Sequence, residues 1–141
     1  KQLGDYKIDE GDTVTFKFDT WHDGENAQAV YGEDYSIDIV SKSPQIEIND
    51  WSYDGNELVV EIGATKDGFN LSGNTFAIQV TATTEDQEYS TFGFDMSSVN
   101  HYDASADSNT AHGQWESNDD VLIGLSPAGF VPPIDDQTDL V

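Results

Sequence analysis

Asp103, Ser105, Asp107 and Asn109 put oxygen-bearing side chains at alternate positions, with Glu116, Asp119 and Asp120 close behind. Calcium takes roughly six to eight oxygen ligands from side chains of this kind, so the stretch is a candidate Ca2+ loop. It carries only the opening of such a loop. Ser108 stands where the sharp-turn glycine belongs, and Gln114 replaces the closing bidentate glutamate. A solvated polar loop is the alternative that needs no ion. A second oxygen-rich group, Asp19, Asp23 and Glu25, surrounds Trp21, His22 and Gly24, and Glu33 and Asp34 join it if the turn brings the flanking strands together. There the Asp-Gly turn explains the same residues without a cation. His22, His101 and His112 fall in expected loops, at a spacing that matches no zinc pattern, and read as isolated surface side chains.

Trp21, Trp51 and Trp115 are the rings that could stack on a sugar, with Tyr53 beside Trp51 and Tyr6, Tyr31 and Tyr102 in support. Trp51 has the opposite strand parity to Ile46 and Ile48, and Tyr53 shares its side. In a strand without a bulge both face away from the core. An exposed Trp and Tyr pair gives contact area at low entropic cost, which suits a carbohydrate platform. The competing reading covers this face with a second sheet or with the chain's tail. Asn70-Leu71-Ser72 has the N-glycosylation acceptor pattern, which has meaning in a secreted protein. The sequence holds no Gly-x-Ser-x-Gly elbow, phosphate-binding glycine loop or His-Glu-x-x-His. With 28 acidic residues no carboxylate pair is singled out, and the expectation is a protein that is not an enzyme.

The elements that must carry these residues have a period of two. Val14, Phe16 and Phe18 alternate with polar neighbours, as do Tyr35, Ile37 and Ile39, and then Ile46 and Ile48. Leu58, Val60 and Ile62, then Phe76, Ile78 and Val80, then Phe92, Phe94 and Met96 repeat the pattern, and residues 121–125 form a last apolar run. Tyr53-Asp54-Gly55-Asn56 predicts a hairpin whose central residues adopt positive φ. About seven short strands without an amphipathic helical stretch predict an all-β chain, an antiparallel β-sandwich of immunoglobulin-like or jelly-roll topology. The expected organisation is a sandwich over residues 1–125 and a proline-containing strap or arm over 126–141. Residues 97–114 read as a long polar loop, and loops of that length are usually functional or disordered.

Charge sets the environment. The 28 acidic residues face five lysines and no arginine, a formal net charge of -23. Nucleic acid and anionic membrane surfaces are excluded as partners by that sign. No apolar run approaches the ~18 residues of a membrane helix. Without cysteine there is no disulfide and no thiolate site. Such one-sided charge repels itself unless salt screens it or bound cations neutralise it. A brine, a high-salt cytoplasm and a calcium-bathed cell surface all fit.

At Glu10-Gly11-Asp12-Thr13-Val14-Thr15-Phe16 and Asp54-Gly55-Asn56-Glu57-Leu58-Val59-Val60 the chain resembles the Ig-like β-sandwich modules of bacterial and archaeal surface proteins, including calcium-dependent adhesins. The resemblance implies an extracellular module stiffened by Ca2+. The expected function is a structural or adhesive module, or a filament subunit, of a microbial surface in a saline or marine habitat. Its partners would be further copies of itself or neighbouring modules. Assembly by strand donation would use residues 2–8, ending on Ile8, or the tail with Phe130, Val131, Ile134 and Leu140. The alternatives are a carbohydrate-binding module and an acidic mimic of DNA that blocks a nucleic-acid-binding protein.

Overall fold

The computed structural model describes residues 6–23, 28–71, 75–83 and 91–111, with the backbone alone at 23, 82 and 91. They are all-β: β1 (Lys7–Ile8), β2 (Thr13–Asp23), β3 (Tyr35–Ser41), β4 (Ile46–Tyr53), β5 (Glu57–Ala64), β6 (Phe69–Asn70), β7 (Phe76–Ala82), β8 (Thr91–Asp103) and β9 (Ser108–Ala111). One antiparallel sheet has the order β4-β5-β2-β8-β9, and β3 pairs with β7 and β1 with β6. The expected antiparallel sandwich is what forms. Residues 121–125 and the 126–141 strap lie outside the described residues.

Alternation explains the layers. Tyr35, Ile37 and Ile39 of β3 are buried while Ser36 and Asp38 between them are exposed. That apolar face meets the large sheet directly: the ring of Phe76 on β7 lies 5.3 Å from Phe16 and 6.2 Å from Phe18, and Tyr35 lies 4.7 Å from Phe92 on β8. Phe16, Phe18, Leu58, Val60, Ile62, Phe76 and Ile78 have no solvent exposure. Burial of each such side chain is worth roughly 1.5–3 kcal/mol.

Two β-bulges interrupt the alternation. On β4, Ile48 pairs with Ile62 but Asp50 already pairs with Glu61, so Asn49 is the extra residue. On β8, Ser98 pairs with Lys17 and Met96 with Phe18, leaving Ser97 extra, its hydroxyl donating to the Lys17 carbonyl at 3.2 Å. Each extra residue reverses the parity of the side chains that follow. The β4 bulge also depends on Gly63. A Cβ there would lie 3.0 Å from the Asn49 amide nitrogen, so the Asn49 side chain fits because position 63 has none.

Two local expectations are corrected. The hairpin at Asp54-Gly55 forms, but only Gly55 adopts positive φ, at 94°. Asp54 acts through its carboxylate, which accepts the N–H groups of Asn56 and Glu57, both at 2.8 Å. The polar stretch from residue 97 is not a long loop as far as it is described. β8 continues through it to Asp103, a turn follows, and β9 returns. The apolar signal stops at Met96 because the bulge moves the next buried positions from even to odd numbers, to Val99 and His101.

Candidate functional site

His101 is not a surface side chain. It lies opposite Val14 on β8's inward face, 8% exposed. Its Nε2 is 2.8 Å from the Asp12 Oδ2 and its Nδ1 2.9 Å from the Tyr6 hydroxyl. With Nε2–H donated to the carboxylate, Nδ1 of the neutral ring accepts the Tyr6 O–H. Asp12, 3% exposed, sits where the β1–β2 turn enters β2. Its carboxylate also accepts the Asp9 N–H at 3.0 Å and, on the other oxygen, the Ala104 N–H at 3.0 Å. Burial alone would raise the Asp12 pKa, but the bonds from Asp9, His101 and Ala104 outweigh it and hold the carboxyl below its ordinary range.

A hydroxyl, an imidazole and a carboxylate in line have the order of a nucleophile relay. The charge around Tyr6 runs against that use. Burial, then the carboxylates of Asp12 and Asp103, raise its pKa and disfavour the phenolate. The bonds act instead as a clasp: Tyr6 before β1, Asp12 at the start of β2, His101 on β8 and Ala104 in the β8–β9 turn are joined at one end of the sandwich. Sequence reasoning missed it because its partners are 89 and 95 residues apart. The nearest signal was Asp12 closing the Asp9-Glu10-Gly11 turn.

The aromatic platform is corrected by the β4 bulge. After Asn49, Trp51 lies opposite Val60 and Tyr53 opposite Leu58, both inward-facing, so the two rings share the core's side of the sheet. Each is half-buried and packs on the core. Tyr53 lies 4.6 Å from the Tyr31 ring and 5.6 Å from Phe94. Its hydroxyl donates to the Gly55 carbonyl at 3.2 Å and accepts from Tyr35 at 2.7 Å and from Thr20 at 2.9 Å. Burial, then the bond given to Tyr53, pushes the Tyr35 hydroxyl far above its ordinary pKa. Trp21 faces the other side of β2, opposite Gly93, and its buried indole nitrogen has no hydrogen-bond partner among the described residues. His22 is half-buried against Phe92, its Nε2 likewise without a partner among the described residues. Trp115 and His112 lie outside the described residues.

The oxygen ligands expected in the 103–109 stretch are engaged locally. Asp103 Oδ1 accepts the Ser105 N–H at 3.0 Å and the Ser105 hydroxyl at 2.8 Å, forming the turn. Asp107, at φ 48°, accepts the Tyr102 hydroxyl at 2.6 Å, and the Asn109 side-chain Oδ1 accepts the Asn100 Nδ2–H at 2.9 Å. Glu116, Asp119, Asp120 and Glu25 lie outside the described residues, as does the Asp23 side chain. Among the described residues no three His, Cys, Asp or Glu side chains are grouped to hold a metal ion. Glu33 and Asp34 belong to the turn entering β3, where Asp34 accepts the Val30 N–H at 2.7 Å.

What the structure does bring together is acid against acid. Asp19 lies directly opposite Glu57 on β5 and opposite Asp95 on β8, and Asp50 lies opposite Glu61. Directly opposed residues hold their Cβ atoms about 4.5–5.5 Å apart, where like charges destabilise the ladder. Of the expected assembly residues, Ile8 is described: it pairs with Phe69 and is 1% exposed, seated in the chain's own core. Phe130, Val131, Ile134 and Leu140 lie outside. No family model, curated protein or solved structure matches the chain.

Proposed function

We propose that the chain is an extracellular structural or adhesive module, or a filament subunit, of a microbial surface, non-enzymatic and stabilised by divalent cations or high salt. One observation carries the reading. The carboxylates of Asp19, Glu57, Asp95, Asp50 and Glu61 face one another across the ladders of the large sheet. A ladder built this way in a chain of net charge -23 suits surroundings rich in cations, where screening or direct neutralisation removes the repulsion. Calcium is the divalent ion whose chemistry fits exposed carboxylates best. The clasp and the tyrosine network support the structural side of the reading, since both spend polar side chains on tying strands together.

Partners are further copies or neighbouring modules, joined by a strand donated from the C-terminal tail, since Ile8 of the 2–8 segment is seated in the chain's own core. The test follows location and assembly. Protease treatment of intact cells removes the protein from the surface, and the purified chain in molar NaCl or millimolar CaCl2 assembles, while a chain ended at residue 125 stays monomeric. A protein that is protected inside the cell and monomeric in every cation condition contradicts the proposal.

A further inference from the structure

Asn70 is the one asparagine of the sequence followed by Ser or Thr at the second position, in Asn70-Leu71-Ser72. The structure places it at the end of β6, opposite Lys7 of β1, with its side chain exposed. Leu71 beside it is fully buried, and its N–H is donated to the Tyr6 carbonyl at 2.9 Å. The backbone is thereby held so that the Asn70 carboxamide stays outside. Other asparagine side chains are already in use: Asn100 donates its amide to Asn109, and Asn49 lies over Gly63. Among the described residues no hydrogen bond engages the Asn70 carboxamide.

We infer that Asn70 is a site of N-linked glycosylation. The inference rests on the extracellular reading above, because the sugar donor and its transferase act on chains that cross or leave a membrane. The donor is an oligosaccharide joined through its anomeric carbon to a polyprenyl phosphate or pyrophosphate. The Asn70 amide nitrogen forms a bond to that carbon and loses one proton, the carbon–oxygen bond breaks, and the lipid phosphate leaves with the bonding pair. Ser72 is required for recognition of the acceptor. The glycan has a structural consequence. It stands on the β1–β6 ladder opposite Lys7, so a close-packed joint on that ladder is blocked.

The test uses the full chain isolated from the cells that make it, separated into surface and cytoplasmic fractions and mapped by peptide mass spectrometry. The expected result is a surface-fraction peptide whose Asn70 carries the mass of whole sugar residues, lost in Ser72→Ala, which leaves Asn70 itself in place. Unmodified Asn70 in protein recovered from the surface overturns the inference and leaves the extracellular reading standing. Unmodified protein confined to the cytoplasm overturns both.

Discussion

Asp12 shows how one buried side chain organises a sandwich end. Its side chain is 4% exposed and that of His101 11%, so the hydrogen bond between them is shielded from competing solvent. Removing one member leaves the other buried without its partner. His101→Leu therefore costs about 3 kcal/mol in urea unfolding, the penalty of leaving a buried carboxylate without one of its donors, and Tyr6→Phe, which deletes one hydrogen bond, about 1 kcal/mol. Equal, negligible losses in both would show that the clasp contributes nothing. The pH dependence follows from Asp12. Its folded pKa lies below the ordinary 3.8, so the stability it supplies is complete above that value and is lost as pH falls through the folded value. Acid titration of unfolding should show a limb below about pH 4 that is shallower in Asp12→Asn. An unchanged limb would place the acid sensitivity elsewhere.

At the scale of elements, the bulges decide what faces what. Gly63 and Asn49 form one packing unit. Gly63→Ala forces the Asn49 amide to give by a few tenths of an ångström, at a cost of about 1 kcal/mol. In Asn49→Ala that neighbour is gone, so the double variant should lose less than the two singles summed. Additive losses would mean that the two positions do not interact. Strands were legible in the sequence because Phe16 and Phe18, or Leu58 and Val60, declare their face by alternation. The bulges were not, because Asn49 and Ser97 are ordinary polar residues with no glycine signature. Their trace is a change of parity, from Ile46 and Ile48 to Trp51 and Tyr53, and from Phe94 and Met96 to Val99 and His101. Read without the bulge, the first change makes a binding platform out of half-buried rings, and the second hides a strand and its buried histidine in a loop. Asp12 and His101 were each visible, but only the fold states that they meet.

For the whole molecule, the composition announced the acidity, and the register shows where it acts. Asp19, between Glu57 and Asp95, takes part in two of the three facing pairs. Each such pair costs roughly 0.2–1 kcal/mol at low ionic strength, which molar salt removes. Asp19→Asn should accordingly raise the melting temperature in dilute buffer by a few degrees and shrink the gain that salt provides. No rise in this variant would mean that the facing geometry carries no energetic penalty. The most direct measurement is thermal unfolding of the full chain in dilute buffer with EDTA, then with millimolar CaCl2, then with several molar NaCl. The melting temperature should be lowest in EDTA and rise with added cation, and one value shared by all three conditions would contradict a fold that depends on its counter-ions.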